Sequence, residues 1–246
     1  MGSNKNVSFI ALNVQSLRKH SIDLNDSVTQ KSNFLLLSET WLDNEEQCEL
    51  PNFDCIAKFQ RDSVRAGGVG IYYNKNDKAN IVTSNMDLIL KNFNALSLRC
   101  TNVGDICSAE CVTENGINFI KAVIYVSSNQ KNDDIAEFFH RSLLEYSKSG
   151  SAALNRWQKN LHRVPLILAG DFNVNFADKK KSESLLKFLS VEFDLTINNN
   201  PSKSTTRYNT TIDAVFSRYI EKIQSQTYVT YFIYHKPIVT VIENTD

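Results

Sequence analysis

No stretch of this 246-residue chain approaches the ~18 consecutive apolar residues that a membrane-spanning helix needs. No secretory signal opens it. Met1-Gly2-Ser3 reads as a cloning remnant, so residues 1–6 are expected to be a scar or disordered lead. The chain has no net charge: 27 Lys and Arg balance 27 Asp and Glu, with a pI near 6.9. That excludes a global electrostatic grip on nucleic acid and leaves room only for a local basic face. No C-x-x-C pair is present, and none of Cys48, Cys55, Cys100, Cys107 and Cys111 has a nearby His to complete a zinc set. Five cysteines is an odd count; Cys48 and Cys55 can be bridged only if their segments meet. Reduced, mostly buried thiols and a reducing compartment fit this pattern. Linkers, internal repeats and low-complexity segments are also missing.

What is present is an ordinary globular composition, 42% hydrophobic and 22% charged, long enough for one domain over 1–246 with a substantial core. Strand-like runs dominate, at 7–13, 33–39, 53–59, 68–73, 80–84, 94–100, 117–126, 165–171, 193–197, 204–208, 211–217, 224–230 and 236–242. Leu17, Ile22, Leu24 and Val28 predict a helix over 17–28. Ile135, Phe138, Phe139, Leu143, Leu144 and Tyr146 form a clearer helical stripe, with Asn132-Asp133-Asp134 as its cap and first-turn charge. A short helix is expected at 182–189, and residues 151–162 fit a helix around Leu154, Trp157 and Leu161. Many strands with few helices predict two sheets packed face to face with helices outside. Gly67-Gly68-Val69-Gly70 precedes a strand, so close backbone approach or a bulge explains it better than a phosphate-cradling loop.

Leu166-Ile-Leu-Ala-Gly170-Asp171-Phe172-Asn173 is the most informative segment. An apolar run ends in glycine and then delivers a carboxylate and a carboxamide, which share one side if the chain stays extended. Asp can take a proton from water and Asn can donate to an oxyanion, a pairing suited to hydrolysis of a charged ester. The same form recurs. Runs 9–12, 34–37, 117–124 and 231–234 lead into Asn13, Ser38-Glu39, Tyr125 and His235, and Asp213 interrupts the apolar run 212–216. A layered sheet fold can gather these groups around one cleft. Asp213 needs a buried partner, and His235 is the natural candidate.

With these motifs assembled, the chain resembles the endonuclease/exonuclease/phosphatase, or DNase I-like, superfamily. Within it the sequence is most similar to apurinic-type endonuclease domains of non-LTR retrotransposons and of helicase-bearing transposons. The resemblance rests on Leu12–Leu17, Leu37–Leu42, Gly67–Tyr72, Gly170–Asn173, Thr211–Asp213 and Tyr234–Pro237, in order along nearly the whole chain. It implies an α/β (α+β) four-layer αββα sandwich with two mainly antiparallel sheets. It implies a DNA-nicking enzyme that leaves a 3′-hydroxyl and a 5′-phosphate, using Mg²⁺ or Mn²⁺. Carried over by position, Glu39 binds the metal, with Asn13 and Gln15 beside it. Asp171 activates water, Asn173 and Tyr125 contact the phosphate, and Asp213 orients His235.

Two motifs depart from the family pattern. Ile233-Tyr234-His235 stands where the family has Ser-Asp-His, and Asn13-Val14-Gln15 where it has Asn-x-Asn or Asn-x-Asp. These departures keep open a catalytically weakened nucleic-acid-binding domain. The shared chemistry also leaves open a phosphodiesterase or phosphatase acting on another ester. Loop residues Arg18, Lys19, Arg61, Arg65, Arg207 and Lys236 are candidate phosphate contacts. Lys179-Lys180-Lys181 reads as a solvated helix start, with backbone phosphate as the other reading. Arg207 and Tyr208, on a hairpin whose family counterpart reaches the minor groove, are candidates for DNA contact. The resemblance further implies DNA as partner, no membrane, a monomeric domain and fused reverse transcriptase or helicase domains. It implies an intracellular location, nuclear for a eukaryotic mobile element.

Overall fold

In a computed structural model, residues 6–62, 64, 66–77, 80–87, 102–113, 118–153 and 161–243 are described. The expected strand at 94–100, Cys100, Arg65, Leu154 and Trp157 lie outside them.

Twelve strands are present among the described residues: β1 (Val7–Asn13), β2 (Phe34–Ser38), β3 (Phe53–Phe59), β4 (Val69–Asn74), β5 (Asn80–Ser84), β6 (Gly104–Thr113), β7 (Asn118–Val126), β8 (Leu166–Asp171), β9 (Thr196–Ile197), β10 (Asp213–Arg218), β11 (Ile223–Thr227) and β12 (Ile238–Ile242). They form two six-stranded sheets, ordered β11-β12-β1-β2-β4-β3 and β5-β6-β7-β8-β10-β9. Only β1–β2 and β7–β8 pair in parallel; the other ladders are antiparallel.

Pleat parity builds the layers. Phe9, Ala11, Phe34, Leu36, Val69 and Ile71 of one sheet meet Cys107, Ala109, Phe119, Val123, Ile167, Ala169 and Val215 of the other in one buried cluster. The opposite face of the second sheet packs Ile120, Ala122, Ile124, Leu166, Leu168 and Phe216 against helices. The first sheet's outer face buries Ile10, Leu12, Leu35 and Leu37 against Leu17 and Leu24. The result is the expected αββα order. Central strands covered on both faces read as continuous apolar runs: every residue of β2 and β8 is buried. Edge strands β5 and β11 alternate with exposed positions instead.

The helices follow their caps. Helix α1 (Leu17–His20) stops early, and α2 (Ser27–Lys31) restarts after Asp26 accepts hydrogen bonds from the Val28 and Thr29 amides. The expected single helix over 17–28 is therefore broken. Of its apolar residues Leu17 and Leu24 are buried, while Ile22 and Val28 are exposed. Helix α3 (Asn132–Ser142) buries Ile135, Phe138 and Phe139 as predicted, but Lys131 is its N-cap residue. Asn132 instead donates to the Lys181 carbonyl and the Ser184 hydroxyl, tying α3 to its neighbour. Helix α4 spans Lys148–Ala153. Helix α5 runs over Lys179–Phe193, longer than the expected 182–189, because Asp178 caps it and Asp194 ends it in a left-handed conformation. It takes in Phe193 and leaves only Thr196–Ile197 of the strand expected at 193–197.

Segment 204–208 is not a strand. The Thr206 hydroxyl accepts from the Tyr208 and Thr210 amides and curls the chain into a turn. No helix among the described residues is long and apolar enough to cross a membrane.

Candidate active site

The inward-facing parity of the strands continues to one end of the inter-sheet layer. Phe9 and Ala11 lead to Asn13, Phe119 and Val123 to Tyr125, Ile167 and Ala169 to Asp171, and Val215 back to Asp213. Register fixes their height: Asn13 pairs with Ser38, Tyr125 with Asp171, and Asp171 with Asp213. Apolar side chains fill the layer, and at this end the sequence switches to polar ones. Glu39 follows β2 with a φ of +49°, held because its carbonyl accepts from the Ser16 amide.

The Gly67-Gly68 pair explains how Glu39 is reached. Their carbonyls accept from the Trp41 and Thr40 amides. Both have positive φ, and a Cβ would lie 2.7 Å from Asp105 Oδ2 at Gly67 and 2.6 Å from Thr40 Oγ1 at Gly68. Close backbone approach is thus the reason for the glycines.

A hydrogen-bonded cluster results. Asn13 Nδ2 donates to Glu39 Oε1 (2.9 Å) and to Asp171 Oδ2 (2.8 Å), bridging two carboxylates. Asn13 Oδ1 accepts from the Gln15 amide at 3.2 Å. Trp41 Nε1 donates to Glu39 Oε2 at 3.3 Å. His235 Nδ1 lies 2.8 Å from Asp213 Oδ2, while Nε2 is 3.8 Å from Asp171 Oδ2, beyond hydrogen-bonding range. Nε2 and Asp213 Oδ1 are buried without a hydrogen-bond partner among the described residues. His235 enters through a bridge with Thr206 rather than from a strand end.

Asn173 departs from the expectation that the chain stays extended. The strand ends at Asp171, and Asn173 has a φ of +50°. Its amide still donates to Asp171 Oδ1 (2.9 Å), and its side chain donates to the Val126 carbonyl (2.7 Å). Phe172 between them turns into the helix-side core.

Electrostatics mark the cluster as overcrowded with negative charge. Burial, then the nearby Asp213 carboxylate, pushes the Asp171 pKa up to about 8, against the pull of His235 and two hydrogen bonds. Burial alone would lower the His235 pKa, but the charges of Asp213, Asp171 and Glu39 outweigh it and the net shift is upward. Burial, followed by the charges of Glu39 and Asp171, raises the Tyr125 hydroxyl well above its usual range. Asp171, Asp213 and His235 offer ligand atoms within 4.8 Å of one another. Three carboxylates around one imidazole are a donor set that fits a divalent cation. Asp213 and His235 are committed to each other, and Glu39 and Asp171, bridged by Asn13, are the carboxylates left to hold it.

The expected basic contacts divide. Arg61 is buried and spent on Asp105, which also accepts from the Gly68 amide. Sequence reasoning missed Asp105, although its pairing with Tyr125 places it on the inner face. Arg18 is ion-paired with Glu46, and Lys236 donates to Ser204. Arg207 donates to the Thr230 carbonyl beside the site, and Tyr208 is 75% exposed. Lys179–Lys181 form the first turn of α5, with Lys181 near Asp178.

A cavity of about 850 Å³ lies elsewhere, lined by residues 46–58 with Tyr72 and Lys75. It contains none of these groups, and convergence of acids and imidazole outweighs volume in placing the chemistry.

The two sheets and their strand order define the class: the fold is that of the endonuclease/exonuclease/phosphatase proteins, as the motifs implied. No family model and no curated protein matches the sequence. Among solved structures, the chain is similar to the endonuclease domain of TRAS1, a telomere-specific non-LTR retrotransposon (TM-score 0.64, 16% identity, 98% of this chain and 100% of that one). It is also similar to the Xenopus laevis APE2 catalytic domain (TM-score 0.60, 11% identity, 96% and 92%). A third is the human Nocturnin catalytic domain with bound sulfate (TM-score 0.58, 12% identity, 98% and 94%).

Proposed function

We propose that this chain is a divalent-metal-dependent phosphodiesterase that nicks DNA, leaving a 3′-hydroxyl and a 5′-phosphate, in the service of a mobile element. The observation that carries the proposal is the single hydrogen-bonded cluster joining Glu39, Asn13 and Asp171, with the Asp213–His235 pair against it. The endonuclease and catalytic-domain neighbours support a phosphoester hydrolase.

In this reading Asp171 takes the proton from the attacking water. Asn13 fixes one of its oxygens and the Asn173 amide the other, leaving the carboxylate little rotational freedom. Mg²⁺ or Mn²⁺ held at Glu39, beside Asn13 and Gln15, supplies charge neutralisation of the phosphate and favours the ionised form of Asp171. Asp213 accepts Nδ1–H, and its charge favours the protonated ring, in which Nε2–H is a donor as well. A phosphate oxygen is a suitable acceptor for that buried, unpaired donor. Asn173 keeps a second amide hydrogen, and Tyr125 a hydroxyl, for the same phosphate. Arg207, Tyr208 and Lys236 contact the DNA strand, with Arg18 where its ion pair with Glu46 opens. Arg65 lies outside the described residues. In this reading the domain acts as a monomer, a mobile-element context would fuse it to reverse transcriptase or helicase domains, and it works in the nucleus if that element is eukaryotic.

Supercoiled plasmid incubated with protein and Mg²⁺ or Mn²⁺ should relax to the nicked form, and EDTA should abolish this. Glu39→Ala should lower the rate at least about 100-fold. Absence of nicking with both metals, or a Glu39→Ala rate equal to wild type, refutes the proposal. One observation favours a second reading. Tyr234 takes the place of the family's aspartate and lies against the imidazole of His235, which is fully buried. A weakened, DNA-retaining domain would bind DNA but leave the plasmid supercoiled.

A further inference from the structure

We propose that Tyr208 and Tyr234 form a stacking platform for an unpaired nucleobase next to the scissile phosphate, so that the enzyme prefers DNA carrying an unpaired nucleotide to fully paired duplex. This rests on the DNA-nicking reading and adds a substrate preference to it.

The platform is a ladder of rings. The Tyr234 ring lies 4.2 Å from the imidazole of His235, tilted by 37°. The Tyr208 ring lies 5.4 Å from Tyr234, tilted by 53°. The inner end is thus a residue of the catalytic cluster, and the outer end is an aromatic side chain 75% exposed to solvent.

Solvent-facing tyrosines are common on mobile loops, but here the backbone is tied down on both sides. The Arg207 amide donates to the Tyr234 carbonyl (2.9 Å), and the Lys236 amide donates to the Thr205 carbonyl (2.7 Å). Thr206 bridges His235, and its hydroxyl holds the Tyr208 and Thr210 amides. Two loops are therefore laced into one support, which lowers the entropy lost when a ligand stacks on it. Arg207, whose guanidinium donates to the Thr230 carbonyl, adjoins Tyr208 in sequence, and Lys236, which donates to Ser204, lies two residues from Tyr234. Tyr231, on the same loop, is 90% exposed.

Aromatic rings with interleaved cations are the chemistry that holds single-stranded nucleic acid. A paired base has both faces covered by its neighbours in the helix. Only an unpaired or splayed base can offer a face to Tyr208. A nucleic-acid strand is favoured over a lipid or inositol ester because such a base is covalently linked to the phosphate beside His235.

The test uses two fluorescein-labelled DNA duplexes, one fully paired and one with a single unpaired thymidine, titrated by anisotropy in EDTA so that nothing is cut. The bulged duplex should bind at least about fivefold more tightly, since stacking on one aromatic side chain is worth about five- to 100-fold. Tyr208→Ala should remove most of that preference, weakening binding of the bulged duplex at least about fivefold more than binding of the paired one. Tyr208→Trp should retain it, and its added fluorescence should be quenched by the bulged duplex only. Tyr208→Leu, apolar but without a ring face, should behave as Tyr208→Ala.

Equal affinity for the two duplexes, no measurable affinity for either, an equal loss on both in Tyr208→Ala, or a wild-type preference in Tyr208→Leu would each overturn the proposal. Hydrolysis of bis(p-nitrophenyl) phosphate with Mn²⁺ separates the two claims. Turnover of that diester without a bulge preference leaves the phosphodiesterase standing and removes only the platform.

Discussion

Asp213 and His235 act as one unit at the residue scale. The 2.8 Å contact holds the imidazole by Nδ1, and the carboxylate charge favours the protonated ring. Asp213→Asn keeps the shape and removes the charge, so the ring can adopt the other tautomer. The nicking rate should fall at least about tenfold, since each ~1.4 kcal/mol of lost transition-state stabilisation is tenfold. Adding Asp213→Asn to His235→Ala should cost almost nothing further in a double-mutant cycle of rates. Additive losses would show that Asp213 serves another purpose.

The placement of Asn13, Asp171 and Asp213 was legible from strand ends because pleat parity extends an apolar face into its last residue. His235 was legible only as the natural partner of an acid in an apolar run. The fates of Arg18 and Arg61 were not legible: each depends on an acid distant in sequence, Glu46 and Asp105, and no local pattern announces such a meeting. Arg218 was missed for a like reason. It is buried and donates to the carbonyls of Tyr146, Leu161, Val164 and Phe193, all delivered by segments remote from it.

At the element scale, β7 and β8 decide where Asp171 sits. Their parallel pairing sets Gly170 beside Ile124, and a Cβ at Gly170 would lie 2.0 Å from the Ile124 carbonyl oxygen. The φ of +136° compounds the conflict. Gly170→Ala should therefore destabilise the fold by about 3 kcal/mol, read as a lower urea midpoint, because both clash and backbone strain must be absorbed. A midpoint unchanged within error would mean that β8 shifts freely against β7. Strands of five or more residues were largely legible from their apolar runs. The longest described strand, β6 (Gly104–Thr113), was not expected, because Asp105, Ser108 and Glu110 interrupt its apolar residues. Other departures were set by side chains that capture backbone groups: Asp26 splits the first helix, Asp178 lengthens the last, and Thr206 turns an expected strand into a loop.

At the scale of the whole molecule, a lysine lies among the apolar side chains between the two sheets. Lys121 is fully buried, its ammonium 3.3 Å from the ring centroid of Phe34 and 3.8 Å from that of Phe119. It finds no hydrogen-bond acceptor among the described residues. Burial, only partly offset by Cys111 and Asp77, lowers its pKa from 10.5 to about 8. The parity of Phe119, Val123 and Tyr125 places it on the inner face, a signal present in the sequence but hidden within an apolar run. The folded chain releases this proton at a lower pH than the unfolded chain, so between those two values the unfolded state binds more protons and stability rises with pH. Lys121→Met lacks the effect. The mutant should be the more stable at pH 7, and its advantage should shrink by on the order of 2–3 kcal/mol as the pH rises through that window. An advantage independent of pH would show that Lys121 keeps its ordinary pKa and stays charged in the folded chain.

The central claim is that Asp171, at the meeting point of both sheets, is the base of a metal-dependent phosphodiesterase. It is tested most directly by the single-turnover nicking rate of Asp171→Asn on supercoiled plasmid at saturating Mg²⁺, with the fold verified by an unchanged circular dichroism spectrum. Asparagine keeps the size and one acceptor oxygen, gives up one of the two bonds from Asn13 and Asn173, and cannot accept the water's proton. The rate should fall about 10²–10⁴-fold, the usual contribution of a positioned general base. A rate within about tenfold of wild type would contradict the account.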